Sequence, residues 1–521
     1  VSDSVSQGSK AGRGGLYVLG AKVCFIGMGL VQQSVLPHLI GLAAYGSFAR
    51  VMAISNVVNN VVVAASLQGM SRAVLRLGVD PWRAFRGRLL GHGLLGLGIA
   101  SALVAAAAPL AKFQHAEHVA LPLAIAAAVT LLYAVYAPIV GAFNGTQRFR
   151  AQAAFDASSA VLRTGLVLGG GALGASLLGS GTLGAVIGTV VSAIVMLGAA
   201  GIAARSLRPA LGTAPPTARY AQGIVTLAAA QLFTNLLMQA DLTLLGRALG
   251  SVPAVAAREG AQAAATPLPS SHLADEWVGV YRACQLFAFL PYQLIASVSQ
   301  VLFPLVAAAQ SEGDRERVRH LVRSGGRWGT LACCGFVAVI VGNAGGLLRL
   351  AFGSDVSDRG TSTLLVLGAA HGFFALYALT ATVLASLGRE RVSLSLTALA
   401  VVVLGTVFYG LLPRVAFGEA QLRAAASMTA VVMASLWMAS ASRVWHASGA
   451  FTPGASLVRA FLACGLASWA GTQLPGGPVA LVPVKAALTF AIYGAALFAL
   501  RELAPSDLAA VRAVWARRRP S

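Results

Sequence analysis

Charge is what this chain has least of. Only 11% of its 521 residues are Asp, Glu, Lys or Arg, and 57% are hydrophobic, whereas a soluble domain is about 25% charged. That excludes an ordinary water-soluble protein and predicts an all-α polytopic membrane protein. Acid is scarcer still: 17 Asp and Glu accompany 38 Lys and Arg, a net charge of +21. Lysine is nearly missing, with four against 34 arginines, as a GC-rich bacterial genome would produce. Chemical signatures are missing too. There is no phosphate-binding glycine loop of the Walker type, no pair of catalytic carboxylates and no metal-ligand spacing. The chain therefore reads as a protein without enzymatic activity, metal or cofactor. Cys24, Cys284, Cys333, Cys334 and Cys464 all fall in apolar stretches and read as small buried hydrophobes. His38, His92 and His371 are scattered over separate stretches and suit packing or interface roles.

Long hydrophobic runs are what it has instead. Fourteen spans are predicted, at about 14–36, 47–70, 89–110, 120–142, 153–173, 183–203, 222–247, 279–308, 328–348, 363–386, 393–412, 422–442, 456–474 and 480–500. Each approaches the ~20 residues that a crossing needs. The first run is too long for a signal-peptide core and has no A-x-A cleavage pattern, so it reads as an uncleaved span. With the N-terminus in the cytoplasm, 26 of the 38 basic residues fall on that side. They include Arg72 to Arg88, Arg315 to Arg327 and Arg517 to Arg519. The positive-inside rule then puts both termini in the cytoplasm. The basicity is topology, with contact to anionic lipid secondary to it and no nucleic acid required.

The chain also repeats. Arg-rich loops follow spans 2 and 8, and short turns, NGTQRFR and SLGRERV, follow spans 4 and 10. Gly145 to Gly388 and Arg72 to Arg315 share an offset of 243 residues. Two pseudo-symmetric six-helix lobes are expected, at 14–221 and 222–442. A cytoplasmic tail, 1–13, precedes them. A peripheral helix pair, 443–500, and a basic cytoplasmic tail, 501–521, follow. Residues 248–278, rich in Ala, Pro and Ser, read as an external insertion in the second lobe, flexible or partly helical.

Charges inside spans are expensive, and face a bundle interior or a wet cavity. Lys22, Arg163 and Arg282 are such charges, with Asp241 as the main acidic counterpart. An interior lined by cations suits an anionic cargo. Polar stripes accompany them: Lys22, Gly29 and Gln33 on span 1, and Asn56, Asn59 and Asn60 on one face of span 2. Gln152, Asp156, Ser159 and Arg163 follow on span 5, with Gln231, Thr234, Asn235 and Asp241 on span 7. Tyr281, Arg282, Gln285, Tyr292 and Gln300 line span 8. Packing accounts for some of these. The amides can bond across helix interfaces, Lys22 can snorkel, and Asp241 can pair with Arg282. Arg163, deepest in its span and about 10 Å from Asp156, has no partner on its own helix.

Three segments carry a resemblance. GRGGLYVLGAKVCFIGMGLVQQSVLPHLIGLAAYGSFARV is similar to the opening of bacterial polysaccharide flippases of the multidrug/oligosaccharidyl-lipid/polysaccharide (MOP) exporter superfamily. GVYRACQLFAFLPYQLIASVSQVLFPLVA resembles their eighth helix, and MQADLTLLGRALG the end of their seventh. The resemblance implies two lobes forming a V-shaped central cavity, two further helices, and alternating access in the bacterial inner membrane. It implies a polyprenyl-diphosphate-linked oligosaccharide as cargo for cell-surface polysaccharide biosynthesis. A polysaccharide polymerase or glycosyltransferases are possible partners. Lys22 and Arg282 fall on the two helices that carry cavity cations in lipid II flippases. Substrate contacts are then expected at Lys22, Arg163, Arg282, Asn56, Gln285 and Tyr292, with Asp241 as charge partner or coupling-ion site. Two alternatives stand beside this one: a cation-coupled multidrug antiporter of the same superfamily, and a non-transporting scaffold of a polymer synthase complex.

Overall fold

The computed structural model describes residues 2–215, 220–251, 270–474 and 477–503, with backbone alone for 2–19, 270, 300 and 301. The core of the 248–278 segment, the 504–521 tail and the Gln300 side chain thus lie outside the described residues. Sixteen α-helices and no strand occur among the described residues. They are α1 (Ser2–Ile40), α2 (Leu42–Ala73), α3 (Pro81–Phe113), α4 (Ala120–Gly145), α5 (Phe149–Leu177) and α6 (Gly181–Ala204). Then come α7 (Tyr220–Ser251), α8 (Ser270–Ala288), α9 (Leu290–Ser311), α10 (Arg315–Gly342) and α11 (Ala344–Phe352). The series closes with α12 (Ser354–Ser386), α13 (Glu390–Leu411), α14 (Glu419–Ser448), α15 (Gly454–Gln473) and α16 (Val482–Ala499). Fourteen stretches are long and apolar enough to cross a membrane, α8 and α9 counting together as one. Leu94, Ile202, Val402, Leu466 and Phe490 point outward unburied, which suits a lipid-facing surface and would be costly in water.

Helix ends follow local chemistry. Asp80 accepts the Arg83 amide at 3.0 Å to start α3, with Pro81 at the first position. Asp314 does the same for Arg317 at 2.9 Å to start α10. The turns after α4 and α12 share one cap. Gln147 (φ 58°) and Gly388 (φ 72°) take the left-handed conformation, and the next amide reaches back to Phe143 and Leu384 respectively. These landmarks lie 241 residues apart, two fewer than the glycines suggested. Arg72 ends α2 whereas Arg315 opens α10, so that pair is not equivalent.

Three boundaries differ from the hydropathy reading. Helix α8 begins at Ser270, so the end of the expected insertion is helical. Span 8 is broken at Phe289, where Pro291 sits in the first turn of α9 and lacks an amide to continue the ladder. Span 9 stops at Gly342, because Asn343 turns its side-chain amide to Val339 and to Thr489. The apolar residues beyond it form the short helix α11.

Contacts divide the chain into two units, Val1–Arg282 with Tyr409–Gly418, and Ala283–Phe408 with Glu419–Ser521. In the first, α1 packs along α5, α5 on α6, and α2 against α4 and α7. The α5–α6 contact is backbone on backbone: a Cβ on Gly184 would lie 2.1 Å from the Gly170 carbonyl, and one on Gly188 2.0 Å from that of Leu166. In the second, α12 packs on α14 and α9, while α15 lies along α10 and carries α16. Gly342 and Gly471 meet there, and Tyr493 donates to the Leu331 carbonyl at 2.8 Å.

Candidate substrate site

Five of the seven expected residues, Lys22, Asn56, Arg163, Asp241 and Arg282, belong to the first unit. Helices α1 and α5 lie side by side, tied where Thr164 donates to the Met28 carbonyl at 3.1 Å. This contact sets Lys22 within electrostatic reach of Asp156. Asp156, too far along α5 to serve Arg163, thus faces Lys22 on the other helix. One turn along α1, Phe25 lies under the Arg163 guanidinium, 4.8 Å from its ring centre. The Arg163 Nε is buried and has no hydrogen-bond partner among the described residues. Tyr133 and Tyr136 of α4 border the same strip, near Arg163 and Asp156 respectively. The strip carries two cations and one anion on α1 and α5, with the tyrosines of α4 beside them.

The asparagines of α2 do not act as one face. Asn59 is buried, donates to Ser55 at 3.1 Å and accepts from Thr130 of α4. Asn60 reaches α7 and donates to Asn235 at 2.8 Å. These two join helices, leaving half-buried Asn56 between them. Asp241 is 2% exposed and accepts from the Tyr281 hydroxyl at 2.9 Å, and from the Leu242 amide at 2.7 Å. Arg282, the next residue after Tyr281, is half-buried. In the second unit, Gln285 is wholly buried, and Tyr292 packs against Phe374 with ring centres 5.0 Å apart and planes tilted by 37°. Tyr292 also packs against the apolar cluster around Ile295 and Cys333.

Similar architectures occur among solved structures. A structure of the lipid II flippase MurJ in an inward closed conformation superposes with a TM-score of 0.67, covering 94% of this chain and 99% of that one at 11% identity. An outward-facing multidrug resistance MATE family transporter of the MOP superfamily gives 0.56, covering 82% and 96% at 17% identity. A MOP superfamily transporter from Pyrococcus furiosus, with a binding pocket described as of reverse polarity, gives 0.55, covering 83% and 95% at 15% identity. The chain has the fold of the MOP superfamily transporters. No family model matches it, and no curated protein does.

One charged group of this MOP-type fold escaped the sequence reading. Arg50 of α2 is 1% exposed and sets its Nε 2.6 Å from Asp275 Oδ1, itself 3% exposed. The other oxygen, Oδ2, takes the Ser47 hydroxyl at 2.5 Å and His118 Nε2 at 2.6 Å. Gly46 makes this possible, since a Cβ there would lie 1.8 Å from the Asp275 carbonyl. Gly279 does the same one turn along, 2.7 Å from the Leu42 carbonyl. The hydropathy reading placed Asp275 in a loop.

Proposed function

We propose that the protein is a flippase that moves a polyprenyl-diphosphate-linked oligosaccharide across the bacterial inner membrane by alternating access. One observation carries the reading: Arg163 holds a guanidinium at membrane depth whose Nε has no acceptor among the described residues. A buried cationic donor of this kind suits a diphosphate, which offers several anionic oxygens. Lys22, held near Asp156, supplies the second cation, and Arg282 a third from α8. Asn56 is the amide left for sugar hydroxyls, while the prenyl tail stays in lipid. Gln285 and Tyr292 contribute less, because burial occupies the first and packing against Phe374 the second. Asp241 acts as a charge partner held by Tyr281. Basic residues at alternate turns support cytoplasmic termini. A head group of charge about −2 moving outward would gain roughly 4–5 kcal/mol per 100 mV, so the membrane potential can drive the step. A polymerase or glycosyltransferase would act on the same cargo.

The MATE likeness keeps a second reading, cation-coupled drug export, in play. The assay is flipping of a fluorescent polyprenyl-diphosphate sugar in vesicles containing the purified protein. Arg163→Ala and Lys22→Ala are expected to slow it about tenfold each, the loss of one charge-assisted contact, with Arg163→Lys in between. Unchanged rates in both alanine variants would overturn the proposal. Resistance of expressing cells to cationic dyes would favour the exporter.

A further inference from the structure

The Arg50–Asp275 pair opens on one side through His118. That ring is 40% exposed, and it borders a cleft of about 580 Å³. The cleft is lined by the start of α2 with Ser47, the α5–α6 turn with Ser180 and Thr182, and the start of α8 with His272, Asp275 and Glu276. Arg50 is a permanent cation, sealed in by Gly246 and Gln114. Asp275 is its counterion, and Ser47 and His118 both contact its Oδ2 where it borders the cleft. Within the group, His118 is the titratable side chain that meets solvent.

We infer that His118 is a proton-binding site that locks α2 against α8 through Asp275. The geometry gives the sign. Arg50 occupies Oδ1 and His118 occupies Oδ2, so the carboxylate holds two cations without bringing them onto one oxygen. A proton arriving from the cleft turns the His118–Asp275 contact into an ion pair. His118 sits on the Glu117–Val119 turn, which packs on α2, so the pair bridges to α8 beside the place where α2 and α8 meet at Gly46 and Gly279. Protonation therefore favours the packed arrangement, as any ligand favours the state it binds better.

The other groups around His118 do not reverse this. Helix α4, on which its turn packs, has no charged residue. Lys112 ends α3 and is exposed, as is Glu117 on the same turn. His272 lies 3.6 Å from Glu276 on its own helix. His115 faces Arg247 and Arg50; burial first, and then those two cations, hold it below the usual imidazole range. Under the flippase reading, acid in the compartment that meets this cleft would hold that end of the first unit shut. Only this consequence rests on the flippase reading, since the lock itself needs no cargo.

The test is hydrogen exchange on the purified full chain in lipid nanodiscs, read by mass spectrometry and corrected for intrinsic rates. Peptides over 42–50 and 271–279 should gain protection severalfold between pH 8 and pH 6. His118→Gln should stay at the unprotected level throughout, and His118→Lys at the protected level. A wild-type protein without this pH response overturns the inference, even if the variants fail to fold. So does a response retained in His118→Gln. Flipping is then measured in vesicles with an imposed pH gradient and a membrane potential of the sign that draws the anionic head group across. Absent flipping with the exchange response intact would sink the transport reading alone.

Discussion

A single buried side chain in this molecule is costly because of what it leaves behind when its partner goes. Arg50 and Asp275 are both almost completely enclosed. Removing one uncovers the charge of the other, which costs about 3–5 kcal/mol, whereas apolar replacement of both is often neutral. Arg50→Ala and Asp275→Ala are therefore expected to lower the melting temperature of the detergent-solubilised protein sharply. The double variant Arg50→Met with Asp275→Leu should recover most of the loss. Equal melting points for the single and double variants would show that the pair is not coupled. Residue identity foretold Arg163 as a charge in need of a partner, because no neighbour on its own helix could serve. It could not foretell Asp156 beside Lys22, or Thr130 beside Asn59, since those partners sit on other helices.

Between elements, glycines set how closely helices approach. Gly184 and Gly188 of α6 face Gly170, Gly174 and the Leu166 carbonyl of α5, whereas Gly165 on α5 has open space at its Cβ position. Gly184→Ala and Gly188→Ala should each destabilise by about 1–3 kcal/mol through overpacking. Gly165→Ala should be neutral or slightly stabilising, because a helix prefers Ala to Gly. Thermal unfolding of the three variants checks the ranking, and a deficit in Gly165→Ala matching the other two would break the argument. Existence of the long helices was legible from hydropathy, since a crossing demands an apolar run. Ends were not. Helix α8 starts in polar residues stabilised by contact with α2, and span 9 stops where Asn343 finds Thr489.

The whole molecule adds a third kind of constraint, the fastening of the last helices. Beyond α16, Glu502 is 2% exposed and lies 2.7 Å from Arg327 of α10, with Arg459 of α15 at 3.4 Å. Burial pushes its carboxyl up, but hydrogen bonds from Arg327 and Ser456 and the nearby positive charge outweigh it and hold it below the usual carboxylate range. A depressed carboxyl stabilises above its unfolded value, near pH 4.3, and loses that contribution as pH falls through its folded value. The stability gap between wild type and Glu502→Gln should thus be full near pH 7 and close as pH drops below about 4. A gap that stays constant down to pH 3 would count against the ion pair. Sequence placed α15 and α16 at the periphery. Their packing on α10 through Gly342, Gly471 and Tyr493 became visible only with the chain folded.

Hydropathy and charge scarcity alone dictated an all-helical membrane protein with fourteen spans, because lipid leaves the backbone few ways to satisfy its polar groups. They also singled out the intramembrane cations, since each must answer its own solvation cost. Which charge meets which was decided by tertiary structure. Lys22 with Asp156, and Arg50 with Asp275 and His118, join residues far apart in the chain, at distances set by side-chain packing and glycine crossings that no local pattern records.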